Sequence, residues 1–275
     1  LAVLMVAADD GWMPQTEEHL QILSYLGVKR AVVALTKIDL AQNEERSIAE
    51  IRYQLRGSSL EDAPIVPTSV PTGRGLDELK KALVEILAKT PPPREIGKPR
   101  LSVDRVFTLR GIGTVVTGTT TGGSFKRGDE IVVQPSGARG RIRSVQNHNQ
   151  EVEFSLPGTR TALNIPDVKG TPIQRGDVIT PPDFGEAVKE IDACLEKSAR
   201  LMNAKVPAAR PLKDGKRVRV HLGSRDVAAH IILDHSPLEA GGQTIARLRF
   251  EEPVFAFTGD RFIVRDWSEQ ATLAG

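Results

Sequence analysis

The segment that decides the fold of the first third of the chain is a run of five apolar residues followed by a polar turn, Ala31-Val32-Val33-Ala34-Leu35-Thr36-Lys37-Ile38-Asp39. The apolar run has no period-two alternation, which predicts a parallel strand covered on both faces. Residues 1–8 have the same character, and residues 65–68 predict a third strand. The helices predicted after these strands begin at Pro14 and cover residues 44–55 and 76–88. Three strand–helix units imply a parallel sheet with helices on both faces.

The character of the sequence changes after a stiff, extended linker, Thr90-Pro91-Pro92-Pro93-Arg94. Short runs rich in Val, Ile, Thr and Phe, one of them at residues 142–145, are then separated by glycine turns. This pattern predicts a small antiparallel barrel, and it resumes after Pro181-Pro182. We therefore expect an α/β domain at residues 1–92 followed by two β-barrel domains, at residues 93–182 and 183–275.

The composition is that of a globular protein, with 40% hydrophobic and 26% charged residues among 275. It excludes disordered, collagen-like and membrane-spanning classes, since the longest apolar run is far shorter than the ~20 residues of a membrane-spanning helix. We expect a cytoplasmic monomer. Cys194, the single cysteine, excludes an internal disulfide, and its apolar surroundings predict a small buried side chain. Leu1 has no methionine before it and stands inside a hydrophobic run, so we expect a fragment.

The positive charge is concentrated in the middle of the chain. Residues 98–182 hold 12 Lys and Arg against 7 Asp and Glu, whereas residues 1–97 hold 11 against 14. A basic segment of this kind favours a polyanionic partner such as RNA, and a scattered basic surface is the alternative. Aromatic residues make up only 4% of the chain, which disfavours a platform that stacks successive bases.

Thr36-Lys37-Ile38-Asp39 has the chemistry of a base-selecting site. A carboxylate at the carboxyl end of a buried strand can accept both the ring N–H and the exocyclic amine of guanine, and the lysine stem can lie along the base plane. Ser69-Val70 follows the next strand and could bring backbone N–H groups to the same base. The alternative is a solvated Lys37 and an Asp39 that caps a helix.

Larger motifs carry a resemblance to a family. Asp10-Gly11-Trp12-Met13-Pro14-Gln15-Thr16, together with the two strand-end segments, resembles the second half of the GTP-binding domain of translation factors. The segment that starts at Arg110-Gly111-Ile112-Gly113-Thr114 is similar to the first half of the barrel that follows that domain. Within this superfamily, residues 142–150, 160–164, 259–265 and 272–275 resemble the bacterial selenocysteine-specific elongation factors, and the resemblance covers essentially the whole chain.

The resemblance implies a partial P-loop-type GTPase domain followed by two antiparallel barrels. It also implies GTP-dependent delivery of selenocysteinyl-tRNA to the ribosome, with Thr36, Lys37, Asp39, Ser69 and Val70 at the guanine of GTP or GDP. Other readings stay open: a factor like elongation factor Tu or the initiation-factor gamma subunit with another aminoacyl-tRNA, or a non-catalytic RNA-binding module.

Several family segments are absent from residues 1–275. The sequence contains no Gly-x-x-x-x-Gly-Lys-Ser/Thr loop, switch Thr or Asp-x-x-Gly-His segment, so we expect no catalytic residue, no Mg²⁺ ligand and no GTP hydrolysis by this chain alone. The winged-helix domains that read an mRNA hairpin are also missing. Thr36 replaces the usual Asn of the guanine motif, which predicts looser nucleotide binding with unchanged base choice.

The resemblance also implies a cargo site. Selenocysteine presents an anion at neutral pH, which an arginine can distinguish from the neutral hydroxyl of serine. The family's Asp-Arg pair and later Arg correspond to Asp104, Arg105 and Arg160, and the alternative is a surface salt bridge with one spare arginine. We expect that the histidines form no metal site. We expect Phe255 and Phe257 to lie in the core of a barrel. The histidines are His19, His148, His221, His230 and His235.

Overall fold

The computed structural model describes residues 1–168, 172–202, 204, 206–234 and 237–275. Its first part is a parallel three-stranded sheet in the order β1-β2-β3, with a short 3-10 helix at Ile38–Leu40. The elements are β1 (Ala2–Ala7), α1 (Pro14–Tyr25), β2 (Ala31–Thr36), α2 (Glu44–Leu55), β3 (Ile65–Pro67) and α3 (Leu76–Ala88).

Local sequence signals explain where these helices begin. Pro14 stands at the start of α1, where a missing N–H costs nothing, and the side chain of Asn43 caps α2 by accepting a bond from Arg46 N at 2.9 Å. Leu20 and Leu35 are fully buried between the helices and the sheet.

One expectation for this sheet is wrong. Strand β2 is buried on both faces, but β1 leaves Val3 46% and Met5 67% exposed. Among the described residues β1 is one of the two edge strands of this sheet, and only its Leu4 and Val6 side chains are buried. The unbroken apolar run therefore predicted the strand correctly, but it did not predict whether both faces of the strand are buried.

The second part is an antiparallel eight-stranded sheet around one core, in the order β7-β6-β11-β4-β5-β10-β8-β9. Of the strand predicted at 142–145, Ser144 and Val145 do lie in a strand, whereas residues 142–143 form a break before it. The break arises because Ile142 turns inward while its N–H and that of Arg143 bond to Asp129 O and Asn164 O. The strands are β4 (Arg100–Leu109), β5 (Gly113–Thr121), β6 (Glu130–Gln134), β7 (Ala138–Arg141), β8 (Ser144–Asn147), β9 (Gln150–Val152), β10 (Arg160–Asn164) and β11 (Val178–Thr180).

The third part is an antiparallel six-stranded sheet in the order β12-β15-β14-β13-β16-β17. Two predictions here need correction. Cys194 is exposed, because Leu195 takes the inward position of β12, and Cys194 Sγ accepts a bond from Gln243 Nε2 at 2.7 Å. The strands are β12 (Val188–Glu196), β13 (Arg217–Leu222), β14 (Arg225–Leu233), β15 (Gln243–Val254), β16 (Phe262–Asp266) and β17 (Thr272–Ala274).

The second correction concerns the aromatic pair. Phe257 stacks on Phe184 at 5.6 Å and lies under Arg100 of β4 at 4.5 Å, so it joins the two barrels rather than filling one core. Phe255 is buried in the same cluster, 6.0 Å from Phe184.

Each of the three sheets, with the segments that flank it, forms one unit, and the third unit contacts both of the others. Arg200 pairs with Glu17 of α1 and the Tyr25 hydroxyl accepts a bond from Ser198 N at 2.8 Å. Arg100 forms two bonds to Asp260, at 2.7 and 2.8 Å, between the second and third sheets. The boundaries at residues 92 and 182 remain predictions. In the part of the chain that the structure covers, no helix is long and apolar enough to cross a membrane.

Candidate functional site

The carboxyl ends of β1, β2 and β3 bring the predicted guanine residues to one edge of the first sheet. Backbone bonds join the three strand-end loops: Ala8 N–H donates to Thr36 O at 2.8 Å, and Ile38 N–H donates to Thr68 O at 3.2 Å. The side chain of Thr36 also donates to Val6 O, at 3.4 Å. The loops after these strands therefore form one connected surface.

Lys37 occupies a left-handed backbone conformation, with φ of 54°. Its Nζ lies 2.8 Å from Asp9 Oδ2 and 3.7 Å from Asp10 Oδ2. The hydrogen bond between them lowers the pKa of Asp9 and raises the pKa of Lys37, so both groups stay charged. The sequence reasoning missed Asp9, although it stands next to the motif that begins at Asp10.

Asp39 lies in the 3-10 helix and is exposed. The residue that caps α2 is Asn43, so the alternative role of Asp39 as a cap of that helix is excluded. Among the described residues, no side chain or backbone group donates to its carboxylate. The oxygens of Asp39 are thus available to an external donor.

The loop after β3 contributes less than the sequence suggested. Ser69 is buried and its N–H donates to Arg74 O at 2.9 Å, so this donor is already used. Val70 is 78% exposed. Gly75 closes the loop with φ of 75°, where an added Cβ would stand 1.9 Å from Pro67 O.

The predicted cargo residues Asp104 and Arg160 meet across the second sheet, on the two strands that flank β5. Arg160 Nη1 lies 2.5 Å from Asp104 Oδ2 and its Nη2 lies 2.9 Å from Asp104 Oδ1. Thr117, on the strand between them, donates to Asp104 Oδ1 at 2.7 Å and accepts from Arg160 at 3.3 Å. The sequence analysis did not single out Thr117.

A β-bulge between Val103 and Arg105 interrupts the pairing of β4 with β5 at this point, and bulges redirect side chains. Burial raises the pKa of Asp104, but the bonds from Arg160 and Thr117 outweigh it and leave that pKa lowered. The Arg160 side chain is 54% exposed, and Arg105 is exposed and outside the paired group. The arrangement is an ion pair with a guanidinium accessible from solvent.

One group of potential metal ligands exists among the described residues, at His221, Asp226 and Glu269. Arg219 already lies within this group: its Nε is 2.8 Å from Asp226 Oδ1 and 3.4 Å from Glu269 Oε1. The positively charged guanidinium therefore occupies the position that a metal ion would take. His235 lies outside the described residues.

Three family models match successive parts of the chain. They are the elongation factor Tu GTP binding domain at residues 1–89, elongation factor Tu domain 2 at residues 113–180, and the selenocysteine-specific elongation factor beta-barrel domain at residues 199–275. The selenocysteine-specific elongation factor of Desulfomicrobium baculatum is 40% identical over 279 residues, covering 99% of this chain. The chain spans 42% of the length of that relative.

Two solved structures are similar over nearly the whole chain. A bacterial selenocysteine-specific elongation factor, EF-Sec, has a TM-score of 0.81 and 30% identity, over 97% of this chain and 43% of its own. The apo form of elongation factor SelB from Methanococcus maripaludis has a TM-score of 0.85 and 27% identity, over 99% of this chain and 62% of its own. The predicted fold class and family are confirmed: the chain belongs to the selenocysteine-specific elongation factors, within the GTP-binding elongation factors related to elongation factor Tu.

Proposed function

We propose that this chain forms the base-recognition edge and the tRNA-binding barrels of a cytoplasmic GTPase that delivers selenocysteinyl-tRNA to the ribosome. The observation that carries the proposal is the solvent-accessible Arg160, held by Asp104 and Thr117 on the first barrel of a chain in this family. This barrel also lies in the basic middle of the sequence.

In the proposed guanine site, Asp39 accepts hydrogen bonds from the ring N–H and exocyclic amine, which adenine does not offer together. The stem of Lys37 lies along the base plane. The loop at Ser69 and Val70 contributes one side of the pocket, with Val70 on the open side.

In the proposed cargo site, the anionic selenium of selenocysteine meets the exposed guanidinium of Arg160, with Arg105 adding positive charge. Asp104 keeps Arg160 in place through bonds to both terminal nitrogens of the guanidinium. A seryl group offers no anion, so its gain from the same arginine is smaller.

GTP would hold the GTP-binding domain against the barrels in the form that binds tRNA, and hydrolysis after codon recognition would release the cargo. Residues 1–275 include no phosphate-binding loop, so we propose that they do not hydrolyse GTP alone. Phosphates, Mg²⁺ and the mRNA hairpin would be bound by segments that this sequence does not contain.

The test measures the affinity of the full-length natural polypeptide that carries this chain for selenocysteinyl-tRNA and seryl-tRNA, with GTP present. Arg160→Ala should weaken selenocysteinyl-tRNA binding by about tenfold or more and change seryl-tRNA binding little. Arg141→Ala, which removes an exposed arginine paired with Glu130 on the same barrel, is the matched control. An unchanged cargo preference after Arg160→Ala would assign the chain to another aminoacyl-tRNA.

A further inference from the structure

We propose that Asp9 is a positioning residue that holds the Lys37 side chain at the candidate guanine site and keeps it away from Asp39. The inference rests on the proposed function and adds to the site a residue from a third loop, the one after β1. Lys37 Nζ lies 2.8 Å from Asp9 and 3.7 Å from Asp10.

The backbone of Lys37 is already fixed at both sides. Ala8 N–H binds Thr36 O, and Ile38 N–H binds Thr68 O. Lys37 itself adopts the left-handed region, which is uncommon for a residue with a side chain and is maintained only where surrounding structure determines it. Asp9 fixes the opposite end of the side chain, so the four-carbon stem is held between two anchored points.

The loop that carries Asp9 is itself closed. Gly11 N–H donates to Ala7 O at 2.9 Å, and Gly11 has φ of 71°, which suits a glycine. The Asp9 side chain is 31% exposed and that of Asp10 is 59% exposed, so Asp9 is the nearer and less solvated partner.

The ion pair also leaves the carboxylate of Asp39 without Lys37 as a partner. Lys37 is only two residues from Asp39, and a free ammonium there would compete with guanine for the same carboxylate oxygens. Among the described residues, the salt bridges of Lys37 run to Asp9 and Asp10 and not to Asp39. Asp9 thereby leaves Asp39 available to accept the two donors of the base.

A double-mutant cycle tests the inference in the full-length natural polypeptide that carries this chain, with Kd measured for a fluorescent N-methylanthraniloyl GDP. Asp9→Asn should raise that Kd about fivefold. Made together with Lys37→Met, the same change should alter the Kd less than about twofold, because Asp9 then has no ammonium to hold. Asp9→Glu should restore most of the affinity, and Asp62→Asn, at an exposed aspartate before β3, is the matched control with an expected effect below about twofold.

Three results would contradict the inference. An unchanged Kd after Asp9→Asn, or a loss of equal size with and without Lys37, would show that Asp9 does not act through Lys37. A wild-type protein that binds no guanine nucleotide would overturn the proposed function as well. Base choice separates the two proposals further: Asp39→Asn should shift preference from guanine to xanthine nucleotides, whereas Asp9→Asn should leave guanine preferred.

Discussion

Glu17 of α1 and Arg200 of the third sheet unit form a two-bond ion pair, in which Nε–Oε1 and Nη2–Oε2 are both 2.6 Å. Both side chains are mostly buried, at 28% and 21% exposure. Their carboxylate and guanidinium are 183 residues apart in sequence, so this pair is a direct tie between the first and third units.

Glu17→Gln should therefore weaken the contact between the first and third units. Burial raises the pKa of Glu17, but the bonds from Arg200 and Gln21 outweigh it and the pKa stays lowered. For an acid with a lowered folded pKa, the stabilisation is present above the unfolded value of 4.5 and is lost as pH falls through the folded value. We expect a loss of about 1–2 kcal/mol in urea unfolding at pH 7 and a much smaller one near pH 3. Asp77→Asn, in the exposed pair with Lys80, should cost under about 0.5 kcal/mol, and an equal effect of the two variants would refute this assignment.

Gly118→Ala should destabilise the first barrel. An added Cβ would stand 2.1 Å from Ser102 O and 2.8 Å from Leu101 Cδ2, so β4 and β5 would have to separate where they pair. We expect a loss of about 2 kcal/mol or more in thermal or urea unfolding. Thr119→Ala, at the next and exposed position of the same strand, is the control. Similar melting temperatures for the two variants would mean that the strands move apart at little cost.

Local signals predicted the helices well and the surroundings of side chains poorly. The bounds of α2 and α3 follow from amphipathic periodicity, which acts within one element. Whether both faces of β1 are buried depends on the rest of the sheet. Whether Cys194 faces inward depends on the register of its strand, because a shift of one residue moves a side chain to the opposite face. Neither is encoded in a short apolar run.

The candidate sites show the same limit. Strand ends could be located from the sequence, so Asp39 and Ser69 were placed at one edge of a sheet. Asp104 and Arg160 are 56 residues apart and meet only because β4, β5 and β10 are adjacent in the sheet. The resemblance assigned both residues to one site, whereas local pattern could not bring them together. Asp9 and Thr117 were missed because their roles are contacts with other site residues, and such contacts leave no periodic signal.

Lys197 should make stability rise with pH in the alkaline range. Its side chain is fully buried and its Nζ donates to Ala208 O and, at 2.9 Å, to Arg210 O. Burial lowers the pKa of Lys197 from 10.5 to about 8, with Lys216 adding repulsion. The unfolded chain therefore binds more protons than the folded one between pH 8 and 10.5, and stability increases over that window.

The measurement compares melting temperatures with those of Lys197→Met between pH 7 and 10. This variant leaves two carbonyls unpaired and should be less stable by about 2–3 kcal/mol at pH 7. The gap should widen as pH rises, because a neutral amine still has two N–H donors for the two carbonyls. Lys213→Met, at an exposed position, should show no such change. A constant or shrinking gap for Lys197→Met would contradict the prediction.

Thr117→Val should weaken the proposed cargo site without unfolding the barrel. Valine keeps the branched shape but removes the hydroxyl that donates to Asp104 and accepts from Arg160. Asp104 then loses one bond that opposes the effect of burial, so its pKa should rise toward the ordinary value, as followed by NMR titration of the carboxyl carbon. Because Asp104 and Arg160 remain paired, the preference for selenocysteinyl-tRNA over seryl-tRNA should fall only about two- to fivefold, less than after Arg160→Ala. Thr119→Val on the same strand is the control. If Thr117→Val shifts the Asp104 titration and leaves the cargo preference intact, Thr117 stabilises the ion pair alone and has no part in selecting the tRNA.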